Sequence, residues 1–312
     1  MAPESRIYTA VLSSPDSRNG TESPTVRNGS WNSTPSPDKE QFQPYYDYTT
    51  SLVIVVIGFC GSVGNLSVIW TLGFCMKKNP ISLYKLHLAC ADFICLLFNS
   101  VWFILYLLDH SNNVFHILIR AVRNSSFMVA VCLLMVLNTE RCVYVLWAFW
   151  YRCHRPVHLS TILSAIIWGL AFCIGTLTFL CDYSKVFSCY RIDFVCCIIV
   201  FFTSLGLCVS GVTLLIWVQC CSWRKQPTWF YTTTLLRMLA FLLLGLPAGL
   251  GFMVYLLLPS LPYKHILLPI FYLLLVLNST MNPIIYFFVG RHRLREQTAH
   301  LLSIPDMFSH LL

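Results

Sequence analysis

The chain has 312 residues, of which 57% are hydrophobic and 11% charged, with a formal charge of +8. A soluble domain carries about a quarter charged residues, so this composition excludes a soluble core and implies several membrane spans. The basic residues form no contiguous face, which argues against nucleic-acid binding. The fifteen cysteines fall mostly in apolar runs, with no CxxC pair or His/Cys ligand spacing, which argues against a structural metal site.

Residues 1–50 are rich in Ser, Pro, Asn and Thr and lack an apolar stretch near the start. They read as a disordered tail rather than a cleaved signal peptide. Sequons at Asn19, Asn28 and Asn32 favour a glycosylated, extracellular tail, although Pro35 weakens the third.

Seven apolar segments follow, each long enough to cross about 30 Å of hydrocarbon. Their expected limits are Leu52–Cys75, Ser82–Leu108, Val114–Val145, Ser160–Cys181, Ile192–Trp217, Tyr231–Leu258 and His265–Gly290. The expectation is an all-α membrane protein, a seven-transmembrane helix bundle over residues 51–290. Lys77, Lys78, Arg152, Arg155, Arg224, Lys225, Arg291, Arg293 and Arg295 fall on one side, against Lys185, Arg191 and Lys264 on the other. This bias puts the N-terminus outside and the C-terminus inside. In the tail, 291–312, Leu294, Leu301 and Leu302 can share a face opposite basic residues. That pattern suits a short helix lying in the inner interface, with an unstructured basic anchor as the alternative. Cys220 and Cys221, at the inner end of the fifth span, are candidates for palmitoylation or inert thiols.

Polar residues inside the spans carry the functional signal. Leu277–Gly290 combines Asn278, Ser279, Thr280 and Asn282 with Pro283, which removes a backbone donor and frees the carbonyl one turn back. Asn65 and Asp92 lie roughly 15 Å from the inner ends of their spans and Asn282 roughly 12 Å, so three helices place polar groups in one layer. An ionisable group at that depth is by default a functional-site candidate. The expected partners of Asp92 are Asn65, Asn278, Ser279, Asn282, water and a sodium ion. The network is read as one that rearranges between two states, with a static packing network as the alternative.

Two further clusters flank this layer. Arg141 reaches the inner edge, beside Glu140, and an aromatic and basic loop follows; the loop has the character of a surface that receives a partner. At the outer side, Arg120 and Arg123 are one turn apart on the third span, roughly 27 Å from Arg141 in the case of Arg123. Asp182 and Asp193 flank the loop between the fourth and fifth spans. These four residues are the candidate ligand-binding set. Cys181 and Cys189 bracket the same loop and are read as a disulfide, with two free thiols as the alternative.

A transporter would show inverted repeats and several charges along a path, and no repeat is evident. The nine histidines lie mostly at span ends or in loops, so no catalytic set assembles and no enzyme is expected. A receptor-like subunit without its own signalling is a further alternative.

Taken in order, Gly64-Asn65, the LACAD ending at Asp92, Glu140-Arg141-Cys142, Trp168, Leu246-Pro247 and the NPIIY of Asn282–Tyr286 resemble the rhodopsin-like (class A) G-protein-coupled receptors over residues 50–302. The run after Cys142, the Gly245–Pro247 triplet and LNSTMNPIIYFFVG are similar to the Mas-related branch. That resemblance implies glycine at Gly245 where most class A receptors keep tryptophan. It also implies a disulfide between spans four and five, matching Cys181 and Cys189, in place of the usual one; His116 stands about where the usual cysteine would be. It implies ligand-triggered activation of heterotrimeric G proteins of the Gq or Gi type, roles in sensory neurons or immune cells, and peptide or cationic ligands. Gly245, Pro247 and Pro283 would serve as an activation hinge, Arg141 would cap the G-protein C-terminal helix, and Tyr286 would swing toward span three. Two departures stand out. No acid occurs in Thr176–Leu180, so the outer pocket is expected to suit an acidic or apolar ligand, with internal pairing of Arg123 to Asp182 or Asp193 as the alternative. No acid occurs in Gln226–Tyr231, so inner restraint is expected to rest on Glu140–Arg141 and packing, with raised basal signalling.

Overall fold

The computed structural model describes residues 42–75, 79–108, 113–184, 190–220, 228–257 and 264–309. Seven helices among them are long and apolar enough to cross a membrane: Tyr48–Cys75, Pro80–Leu107, Asn113–Leu146, Leu159–Ser184, Arg191–Trp217, Leu235–Val254 and Leu267–Arg291. They are referred to below as spans one to seven, and no strand occurs among the described residues. The sequons at Asn19, Asn28 and Asn32, and also Cys189 and Cys221, lie outside the described residues.

Local sequence explains several boundaries. Asn79 adopts an extended backbone ahead of Pro80, and proline at the first helical position loses no hydrogen bond because that N–H would be unpaired anyway. The first helix begins at Phe42, ahead of the tail limit expected at residue 50. Pro44 falls in its first turn, where it is tolerated. The last helix runs unbroken from Lys264 to Ser309, so the residues expected to form a separate interfacial helix instead continue span seven. The stretch from Arg291 to Ile304 contains mostly good helix formers and neither glycine nor proline, the first breaker being Pro305. In span six a π-helical turn, Phe241–Gly245, joins Thr228–Ala240 to Leu246–Leu257. It lies just before Pro247, whose missing N–H cannot bond one turn back.

Span three is the axis of the bundle: 61% of its apolar window is buried, against 17% for spans four and five. It packs against spans two, four and five, while span one packs against spans two and seven. Span one approaches closely because one face is glycine. A Cβ on Gly61 would lie 2.3 Å from Thr280 Oγ1, and one on Gly64 would lie 3.1 Å from Pro283 Cγ. Small residues at such crossings let backbones meet where lipid supplies no hydrophobic drive between helices. The main core joins Tyr84, Leu88, Val129, Leu133, Leu137 and Phe241, between the outer and inner polar clusters.

Candidate functional site

The middle layer forms around Pro283. With no N–H, this proline leaves the Ser279 carbonyl without its helical partner. Asn65 supplies the missing donor: its Nδ2 lies 3.2 Å from Ser279 O and 3.0 Å from Gly61 O. Asn282 Nδ2 donates to Asp92 Oδ2 at 2.6 Å. Asn65 and Asp92 are each 1% exposed and Asn282 8%. The Ser279 hydroxyl lies beside the Asp92 carboxylate as a weak hydrogen-bond partner, short of full hydrogen-bonding geometry. The expected meeting of Asn65, Asp92, Ser279 and Asn282 is therefore present. Asn278 turns elsewhere: its Oδ1 would lie 3.0 Å from a Cβ on Gly245, which would also meet the Phe241 ring at 2.7 Å. Glycine at 245 thus makes room for an aromatic ring and an amide from span seven.

Asp92 Oδ1, Ser279 Oγ and Asn65 Oδ1 are buried without hydrogen-bond partners among the described residues. Oxygen donors of this kind fit a small hard cation by chemistry, the role foreseen for sodium. Spans two and three hold two further buried amides outside the Asp92 cluster. Asn99 and Asn138 are buried, and neither side-chain amide has a hydrogen-bond partner among the described residues. Asn99 is a single amide in an apolar run, and Asn138 stands two residues before the Glu140-Arg141-Cys142 motif, whose charges draw the signal away from it.

At the inner end, the expected Glu140–Arg141 restraint is corrected. Glu140 pairs with Arg155, whose guanidinium donates to Glu140 Oε1 and to Ser160 Oγ. Neighbours in sequence on a helix point in different directions, and it is Arg155, from the following loop, that reaches the Glu140 carboxylate. Arg155 also stacks on Tyr151, 5.5 Å from its ring centroid. Burial works against the Arg155 cation, but the hydrogen bond and charge of Glu140 outweigh it and hold its pKa above the ordinary value. Burial first, and then the Glu140 carboxylate, push the Tyr151 phenol up to about 12. Arg141 is 2% exposed. Cys142 Sγ donates to Ser210 O at 2.9 Å, tying the end of span three to span five.

Tyr286 receives two cations on its ring: Lys85 Nζ at 5.3 Å from the centroid and the Arg237 guanidinium at 4.0 Å. Arg237, on span six, is fully buried. The inner end of span six lacks an acid, but span six carries this base. The available signal was a lone arginine ahead of the apolar run MLAFLLLGLP.

At the outer end, Arg120 bridges two acids, 3.0 Å from Asp182 Oδ2 and 3.4 Å from Asp193 Oδ2. Arg123 does not join them, which corrects the alternative of an internal pair with Asp182 or Asp193. It is 3% exposed and lies 4.7 Å from the Tyr272 ring and 5.5 Å from the Trp102 ring. His116 meets Trp102 edge-on at 4.8 Å. Cys181, next to Asp182, is disulfide-bonded.

No family model matches the chain. Curated proteins do. Mas-related G-protein coupled receptor member B4 of Rattus norvegicus is 37% identical over 270 residues, covering 81% of this chain and 80% of the relative. Member A1 of Mus musculus is 36% identical over 269 residues, covering 81% and 86%. Member X2 of Pongo pygmaeus is 36% identical over 253 residues, covering 77% and 76%. At this identity over about four-fifths of its length, the chain belongs to the Mas-related G-protein coupled receptors.

Proposed function

We propose that this chain is a multi-pass plasma-membrane receptor with an extracellular N-terminus and a cytoplasmic C-terminus. It binds an extracellular peptide or small molecule between the outer ends of spans two, three, five and seven. It then activates heterotrimeric G proteins of the Gq or Gi type through the Glu140, Arg141 and Tyr286 face. A sensory role in itch or nociception, or a role in immune cells, follows from the family resemblance. The Cys181–Cys189 bond holds Asp182 beside Arg120 in this reading, and Gly245, Pro247 and Pro283 act as the hinge between the two ends.

The observation that carries the ligand reading is the division of labour between the two outer arginines. Arg120 neutralises Asp182 and Asp193 internally, which leaves the pair less able to hold a polycation. Arg123 lies between two aromatic faces, with no carboxylate in salt-bridge reach among the described residues. A guanidinium is a planar donor matched to a carboxylate, so the favoured ligand carries an acidic group beside an apolar or aromatic body.

The test is a screen of acidic, neutral and polycationic ligands against the surface-expressed receptor, with separate readouts for each G-protein class and an Arg123→Gln control. Acidic hits that lose potency at least tenfold in Arg123→Gln support the reading. Activation by polycationic peptides, with Arg123→Gln leaving every hit unchanged, overturns the ligand class. No response of any G-protein class to any ligand, together with unliganded output equal to vector control, overturns the signalling role.

A further inference from the structure

Arg237 is a buried charge that the signalling scheme leaves unused. It is 1% exposed, and Nε and both terminal nitrogens lack hydrogen-bond partners among the described residues. Its one close contact described is the face of Tyr286 at 4.0 Å. A guanidinium stays protonated in proteins, and an ion buried without a counter-charge is strongly unfavourable. Arg141 repels it, while Asp92 attracts it.

Asp92 has the complementary deficit. Asn282 donates to one carboxylate oxygen at 2.6 Å, and among the described residues the other has only the nearby Ser279 hydroxyl, outside full hydrogen-bonding geometry. Asn282 and Tyr286 are one turn apart on the same face of span seven. Arg237, stacked on Tyr286, therefore lies about one turn inward of Asp92, roughly 6 Å along the helix. Two incompletely satisfied groups of opposite charge thus lie about a turn apart in the buried interior, on spans two and six.

We propose that Arg237 is the built-in counter-cation of Asp92, standing where the layer would otherwise recruit a sodium ion, so that this receptor is insensitive to sodium. A sodium ion on Asp92 Oδ1 would have to share one carboxylate with a guanidinium about a turn away, and the repulsion between the two cations offsets a large part of what the carboxylate offers. The remaining oxygens, Ser279 Oγ and Asn65 Oδ1, are donors that a hard cation accepts. The site is thus chemically competent but electrostatically closed, and removing the arginine charge should open it.

This yields a gain-of-function test that needs neither agonist nor G protein, so its failure is separable from failure of the signalling reading. The full-length receptor is purified in detergent, and its thermal unfolding midpoint is followed as sodium chloride replaces choline chloride at constant ionic strength. A ligand that binds only the folded state raises that midpoint as its concentration passes the dissociation constant. The wild-type midpoint should stay flat. Arg237→Met should acquire a saturable rise of several degrees, Arg237→Lys should remain flat, and Arg237→Met combined with Asp92→Asn should be flat again. A saturable sodium-dependent rise in the wild type overturns the proposal, as does a folded Arg237→Met variant with no rise. Should Arg237→Met fail to fold, the wild-type titration decides alone: flat supports the assignment and a saturable rise sinks it.

Discussion

At the outer end of the bundle Arg120 bridges Asp182 and Asp193, and Arg123 rests between Trp102 and Tyr272. At the inner end Glu140 is taken by Arg155, and Arg237 rests on the face of Tyr286. Both ends therefore hold one arginine by carboxylates and one by aromatic rings. They differ in solvent. The Arg120 side chain is 35% exposed, whereas those of Arg155 and Glu140 are 8% and 10%. Screening makes the outer pairs cheap to exchange for a ligand; burial makes the inner pair costly to break unless the bundle itself rearranges. The outer arrangement suits reversible recognition and the inner one suits a two-state restraint.

Breaking the inner pair is expected to have the largest effect. Glu140→Ala leaves the Arg155 guanidinium without its carboxylate and should cost about 3 kcal/mol of stability. It should also raise unliganded second-messenger output several-fold, read by thermal unfolding and by basal signalling side by side. Arg141→Ala separates restraint from coupling: it should abolish ligand-driven G-protein activation at normal surface expression. An intact response there would remove Arg141 from the coupling face.

Next comes the link between the two ends. Asn282→Ala removes the donor to Asp92 Oδ2 and should cost about 2 kcal/mol, the scale of a hydrogen bond to a charged group. Ligand binding should survive while G-protein activation falls at least tenfold. Loss of folding alone, with no uncoupling, would favour a static network. Gly245→Ala introduces a methyl 2.7 Å from the Phe241 ring and 3.0 Å from Asn278 Oδ1. The overpacking should cost about 1–2 kcal/mol, and a lowered unfolding temperature in the purified receptor checks it.

The smallest effect sharpens the comparison from the other side. Arg120→Ala exposes Asp182 and Asp193 at a partly solvated site, so its stability cost should stay below about 1 kcal/mol. Its signature is in selectivity: dose–response curves should show polycationic peptides gaining potency and acidic ligands gaining none. Unchanged curves for both classes would mean that Arg120 does not set the charge of the pocket.

Much of this was legible in the chain. Asn65, Asp92, Ser279 and Asn282 were expected together because helical rise converts position within a span into depth, and depth is what polar groups in a membrane must share. Asn278, one turn further out and expected on a compatible face, meets Gly245 instead, because the rotation of span seven against its neighbours is set by packing and not by spacing along the chain. The Glu140–Arg141 restraint was misread for a related reason, since adjacent residues share a depth and not a direction. Arg237 was passed over because its partner is an aromatic ring, and aromatic rings are too common in such a chain to mark one another.

By itself the sequence determined the seven apolar helices, the membrane as their solvent, the polar depth layers and the family, because length, hydropathy and motif order are properties of the chain in one dimension. The tertiary structure decided the pairings: Asn65 with the carbonyl that Pro283 frees, Glu140 with Arg155, Arg120 with two aspartates, and Arg237 with Tyr286. A pairing depends on the rotation of each helix about its axis. That rotation is set by how glycine faces and bulky faces of neighbouring helices fit together, which no single span contains.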